Sequence, residues 1–411
     1  MSAATPGEWP EKQSGKWRAL GLTGLAVVLS LMTWFSATAV LPELTADLGL
    51  SASEAAWLTN AVQLGFALGA LASSLLSLGD IWPLTRFMAG AAVLSGLANL
   101  LLLADPGSSG AIAARFITGV ALAGVYPPAM KFIATWFKTG RGLAMGAMVG
   151  ALTLGSAMPH FVRASGGGVS WESVVLVCSL GSFAAALLFG GVLREGPHGF
   201  SRTSVDLRQI GAILRNKPVM LANLGYFGHM WELYAMWGWF LAYAASAAEA
   251  GAGIANASLL TFAVIAIGLP GCVFGGWLAD RIGRCRTTML MMGLSGLSAF
   301  LIGFAYGGPT WAFVLVALVW GFTVIADSAQ FSAAITELSE PHLVGSSLAF
   351  QMGVGFALTI LVIWLTPLLA DALGGWRWTF LLLVPGPLIG VLAMGALWKH
   401  PRALQMAGGN R

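Results

Sequence analysis

Twelve apolar runs, each close to the ~20 residues a helix needs to cross a bilayer, take up most of this 411-residue chain. They fall at 19–41, 54–78, 83–104, 110–132, 141–163 and 172–193, then at 218–244, 254–279, 286–305, 310–334, 343–370 and 376–398. With 57% hydrophobic and only 9% charged residues, the chain cannot be an ordinary soluble protein. The expectation is an all-α membrane protein of twelve transmembrane helices. Its 54 glycines suit helices packed closely in lipid, where small residues let backbones approach. The residues before the first run are polar and mixed, with no small-residue cleavage site, so that run is read as a retained helix.

Between the eighth and ninth runs lies Gly275 to Arg286, Gly-Gly-Trp-Leu-Ala-Asp-Arg-Ile-Gly-Arg-Cys-Arg. Asp280 and Arg286 repeat the spacing of Asp80 and Arg86, 200 positions earlier and again between two apolar runs. Trp171-Glu-Ser before the sixth run is echoed by Trp376-Arg-Trp-Thr before the twelfth. The chain therefore reads as duplicated, with bundles at 1–193 and 218–411 joined by a basic linker at 194–217.

The Gly-x-Leu-Ala-Asp-Arg-x-Gly-Arg core resembles the loop signature of the major facilitator superfamily. That resemblance implies two pseudo-symmetric six-helix bundles and secondary transport. The matching positions, Asp80, Arg86, Arg141, Gly276, Asp280, Arg281, Arg284 and Arg286, become candidate gating residues, with Gly276 expected against a neighbouring helix and Asp280 beside basic groups. The first-half copy is poorer, with Leu76 where the second half has Gly276.

Orientation follows from the basic residues. Eighteen of the 21 Lys and Arg lie on one side, all but Arg115, Arg163 and Arg377. Under the positive-inside rule that side, which carries both termini, is cytoplasmic, and the expected location is the inner (plasma) membrane. This segregation removes nucleic acid as the explanation of a pI near 9.1.

Ionisable groups inside a span are functional candidates because charge in hydrocarbon is costly. Arg115 begins an Arg-x-x-x-Gly pattern in the fourth run; it resembles a family arginine tied to substrate or proton movement, or else snorkels to the outer face. Tyr126-Pro-Pro-Ala-Met-Lys131 follows and, with the stretch after it, resembles anion-transporting branches, although the two prolines could simply bend the helix. Nitrate and nitrite carriers place arginines in the second and eighth spans, where this chain has none. The fifth run repeats glycine at 142, 146 and 150 but lacks the terminal Gly-Pro of the drug-antiporter signature. Glycines 65 and 69, and 268, 271 and 275, make similar stripes, read as sliding contacts between halves or as static packing.

The seventh run is the most unusual, with Tyr226, His229, Trp231, Glu232, Trp237 and Trp239. His229 and Glu232 are three apart, on one helical face, and Glu232 lies about 21 Å beyond Pro218 along the axis. They are read as a pair facing a cavity, or as a structural pair, and Glu232 as the leading proton carrier. Asp327 and Gln330 share a face of the tenth run and could complete a polar site; Asn60, Gln63 and Gln351 are weaker candidates. His160 and Arg163 close the fifth run, as interfacial groups or an electropositive vestibule.

Cys178, Cys272 and Cys285 show no metal-like spacing, no histidine pair shares a helix, and no phosphate-binding loop is present. The chain is therefore not expected to be an enzyme or to carry a cofactor or metal. The expectation is a monomeric, proton-coupled carrier of a small anionic or polar organic solute, working in a lipid bilayer, with drug or metabolite export by proton antiport as the alternative. A transporter-derived sensor and a membrane enzyme are the remaining classes.

Overall fold

The computed structural model describes residues 9–76, 78–137, 141–165, 169–198 and 207–411, without the side chains of 9–14, 79–80, 141 and 207. Every regular element among them is helical. The first half contains α1 (Trp9–Leu31), α2 (Ala52–Leu75), α3 (Leu84–Leu100), α4 (Gly107–Ala123), α5 (Tyr126–Ala134), α6 (Arg141–Ser165) and α7 (Trp171–Leu187). The second contains α8 (Lys217–Ala247), α9 (Ala257–Ala266), α10 (Gly268–Ile282), α11 (Arg284–Ala305), α12 (Thr310–Val324), α13 (Ser328–Leu338), α14 (Val344–Ala372) and α15 (Pro385–Trp398).

Ten helical stretches among the described residues are long and apolar enough to cross a membrane, against the twelve expected. The two expected runs outside that set differ from the others in distinct ways. α1 carries Lys16 and Arg18 and stops at Leu31, after which the backbone turns through residues 32–35 into short helices Ser36–Ala39 and Leu41–Asp47. α8 is one continuous helix of 31 residues, but His229, Glu232 and its tryptophans and tyrosines dilute its apolar character.

Local chemistry sets several helix starts. Ser51 and Glu54 form a reciprocal capping box on α2, Ser51 N–H donating to Glu54 Oε2 at 2.9 Å. Asn256 Oδ1 accepts from Leu259 N–H at 2.9 Å at the start of α9. The fourth and tenth spans each break near mid-length, α4 giving way to α5 at residues 124–125 and α12 to α13 at 325–327. In the first case Pro127 and Pro128, lacking N–H donors, fit the opening turn of the new helix.

Within the first half, α2 packs on α4, α3 on α7, and α1 on α6 and α7; within the second, α8 packs on α14 and α15, and α11 on α12 and α15. Two seams join the halves, α2 against α14 and α6 against α9 and α10. The glycine stripes divide between these roles. Gly65 and Gly119 bring α2 and α4 of the same half together, since a Cβ on Gly119 would strike the backbone at Phe66 N. Gly271 and Gly275 likewise sit against backbone carbonyls of Phe322 and Ala326 in their own half, while Gly268 meets Ile325 of its own half and Thr153 of α6 across the seam. Gly146 and Gly150 do line a seam, against Cys272 and Leu269 of α10.

The loop signature departs from expectation in two places. A Cβ on Gly276 would meet nothing within 4 Å, because the close approach is made one residue earlier, by Gly275. Asp280 is exposed and has no ion pair among the described residues. The charge pairing falls instead on Arg284, whose Nε and Nη2 donate to Glu337 at 2.7 and 2.6 Å and whose Nη1 donates to Gln330 Oε1 at 2.8 Å. Gly283, at φ +90, makes the turn that presents Arg284, a conformation that glycine adopts without steric cost. Arg281 lies 4.2 Å from the Trp277 ring and Arg286 5.1 Å from that of Trp398, while Arg86 is exposed. The backbones of Asp80 and Arg141 are helical, but their side chains lie outside the described residues.

Candidate functional site

Arg115 is wholly buried, so it neither snorkels nor lies open to a solute. Its guanidinium fills the break in the first span: Nη1 donates to Thr33 O at 2.8 Å and Nη2 to Trp34 O, carbonyls that the turn at 32–35 leaves without helical partners. Nε donates to Leu58 O at 3.3 Å, and Nη1 also reaches Ser36 Oγ and Asn99 Oδ1 at 3.3 and 3.1 Å. Asn99 in turn donates to Ser179 Oγ at 2.9 Å, which ties α3 and α7 to the same point. Arg115 is thus a buried clamp on the first half.

His229 and Glu232 share a helix but not a partner. His229 Nδ1 stands 2.9 Å from Asp327 Oδ1, both side chains buried, and the break between α12 and α13 puts Asp327 at the start of α13. Glu232 Oε1 accepts from Ser295 Oγ of α11 at 2.8 Å and from Trp320 Nε1 of α12 at 2.7 Å. The α8 face that sequence spacing makes common to the two residues meets α13 at one level and α11 and α12 at the next. Gln330 does not complete the Asp327 site, because Arg284 claims its amide oxygen. Trp231 donates to Leu382 O at 2.8 Å and is held in the second half's own packing. Tyr126 is half-buried at the start of α5.

The vestibule expected from His160 and Arg163 does not form. Arg163 is ion-paired with Glu43 at 2.5 Å, and His160 is fully buried with both ring nitrogens unpartnered. At this acidic end Trp171 Nε1 donates to Asp47 at 2.6 Å, and the rings of Phe161 and Phe262 meet across the seam at 4.9 Å.

An aromatic junction between the halves escaped sequence reasoning. Trp34 stacks on Tyr234 at 5.8 Å, Phe35 meets Trp237 edge-on at 6.1 Å, and Phe66 packs on Phe356 at 5.1 Å. Buried polar atoms without a hydrogen-bond partner lie on the same spans as these rings: Trp34 Nε1, Trp237 Nε1, both amide ends of Asn60 and Gln63, Gln351 Nε2 and His229 Nε2. Such groups are normally satisfied, since each orphan costs about 1–3 kcal/mol. Asn60, Gln63 and Gln351 were legible as single amides within spans and Trp237 as one aromatic of the seventh run, but with 17 tryptophans in the chain nothing marked Trp34.

The Major Facilitator Superfamily model matches this chain over residues 23–270 and 232–407. A probable sulfoacetate transporter of Cupriavidus necator is 24% identical over 341 residues, 76% of this chain and 75% of that protein. A niacin transporter of Acinetobacter baylyi is 22% identical over 304 residues, 64% of this chain and 67% of that protein. Among solved structures, a D-xylose-proton symporter superposes with a TM-score of 0.70 over 94% of this chain and 98% of that one, at 16% identity.

Proposed function

Because the chain belongs to the major facilitator superfamily, and is a membrane transporter rather than an enzyme, we propose that it is a proton-coupled secondary carrier of a small anionic or polar organic solute. The observation that carries this reading is the buried His229–Asp327 pair at 2.9 Å, whose His229 lies on the helix that also lines the aromatic junction. Such a pair can take up and release a proton as water reaches it from one side and then the other. The substrates named for the two relatives, both organic acids, support the solute class.

The bundles 1–193 and 218–411 rock about the seams, with 194–217 as the linker between them. Both termini face the cytoplasm, in the inner membrane, and the carrier works as a monomer. Asp327 with His229 is the leading proton site and Glu232 the second, because Ser295 and Trp320 already hold one Glu232 oxygen. Tyr126 borders the solute path.

The test is uptake into proteoliposomes of labelled sulfoacetate, nicotinate and a panel of small polar acids, with and without an imposed pH gradient. Gradient-driven accumulation that a protonophore collapses is expected. Uptake that is saturable yet indifferent to the pH gradient would remove the proton from the mechanism.

A further inference from the structure

The seam between α6 and α10 is a wedge. A Cβ on Gly268 would stand 2.8 Å from Thr153, one on Gly150 3.0 Å from Leu269, and one on Gly146 3.7 Å from Cys272. The next rung, Gly142 and Gly276, lies one turn further along each helix, beside Arg141 and the Arg281 loop, and a Cβ there would meet nothing within 4 Å. The other end of the seam is shut, with Phe161 on Phe262 at 4.9 Å. The halves therefore touch at the acidic end and part toward the basic one.

Amides are enclosed on the closed side. On α2, Thr59 faces the second half, where a Cβ on Gly238 of α8 would come within 3.7 Å of it, and Phe66 packs on Phe356 of α14 at 5.1 Å. Gln63 follows Thr59 by four residues and precedes Phe66 by three, so it lies on the same helical face, and Asn60 sits one turn before Gln63. Thr59 has a partner, Thr38 Oγ1 at 2.8 Å, but Asn60 and Gln63 are fully buried with no partner for any of their side-chain N and O atoms. Each amide can donate two hydrogen bonds and accept two, so closing dry protein over it is unfavourable, whereas water satisfies it once that end opens.

Resting on the transport reading above, we infer that Asn60 and Gln63 bias the conformational equilibrium against closure at the acidic end. They draw the unloaded carrier toward the state open there, which faces outward in the proposed orientation. The bias exists because the two states differ in how these amides are satisfied, the condition for any group to shift such an equilibrium.

The experiment measures the balance of states in the purified carrier by distances between paired spin labels. Ser109→Cys with Ala372→Cys reports the acidic end and Leu76→Cys with His342→Cys the basic end; all four positions are exposed, and the native Cys178, Cys272 and Cys285 are buried. Asn60→Leu and Gln63→Met, close in size to the amides, should each move the ratio of states about tenfold toward short acidic-end and long basic-end distances. Asn60→Asp, costlier still to enclose, should move it the opposite way. Ratios unchanged in all three variants, or Asn60→Leu and Asn60→Asp shifting in the same direction, overturn the inference and leave the transport reading standing. One fixed distance at each pair, in every variant and with nicotinate or sulfoacetate added, removes the rocking motion and the inference together.

Discussion

The two halves use buried charge in opposite ways. In the first, Arg115 is saturated: three backbone carbonyls, a serine and an asparagine share its donors, and the broken first span is held shut around it. In the second, His229, Asp327 and Glu232 lie in or against one long helix, and their partners are side chains that can change protonation or rotate. Charge locked to the backbone braces a structure; charge facing other side chains can be switched. On the proposed proton coupling, the first half is the frame and the second the element expected to titrate.

The largest expected effect is on the frame. Arg115→Leu leaves the Trp34 carbonyl unsatisfied in a dry interior and Thr33 O with only the Ser36 hydroxyl at 3.1 Å, and should destabilise the protein by about 3–5 kcal/mol. Yield and thermal unfolding in detergent would show it, and Arg115→Lys should rescue only part, because an ammonium cannot reproduce the planar fork. A stable Arg115→Leu protein with altered substrate selectivity would return Arg115 to the solute path.

Next is the titrating element. Asp327→Asn should keep the fold and counterflow exchange but lower pH-gradient-driven accumulation at least about tenfold, the loss of one coupling interaction of about 1.4 kcal/mol or more. Reconstituted vesicles assayed in both modes decide this.

A smaller effect is expected at Glu232. In Glu232→Gln the amide oxygen can still accept from Ser295 and Trp320, so stability should change by under about 1 kcal/mol and coupling should persist. If that variant exchanges substrate but no longer accumulates it, Glu232 is the proton carrier and the Asp327 assignment falls.

The smallest lies in the loop signature. Asp280→Asn should alter stability by no more than about 0.5 kcal/mol, the usual range for exposed positions. Arg284→Gln, which releases Glu337, should exceed it, and the reverse order in unfolding temperatures would contradict the pairing seen here.

Apolar run length and composition were enough to read a helical membrane protein, and the Gly-x-Leu-Ala-Asp-Arg-x-Gly-Arg loop core was enough to suggest the family. The site was legible only as a list of residue types. His229, Glu232 and Asp327 stood out because ionisable groups are rare inside spans, but the spacing that paired His229 with Glu232 says which face of one helix they share and nothing of what lies opposite. The partners that Gln330 and Trp231 find, Arg284 and Leu382, were hidden for the same reason, being 46 and 151 residues away in the chain.

Sequence by itself determined what hydrophobicity imposes locally: where a run of side chains is apolar enough to be a helix in lipid, which loops are basic, and which groups are too costly to be buried without a reason. Tertiary structure decided who satisfies those groups. It broke the first span at residues 32–35 and so created the carbonyls that absorb Arg115, broke the tenth at 325–327 and so brought Asp327 to His229, and gathered Trp34 and Trp237 around Tyr234. Hydrogen-bond partners and ring contacts are short-range in space and indifferent to separation along the chain, so they are fixed only when the helices pack.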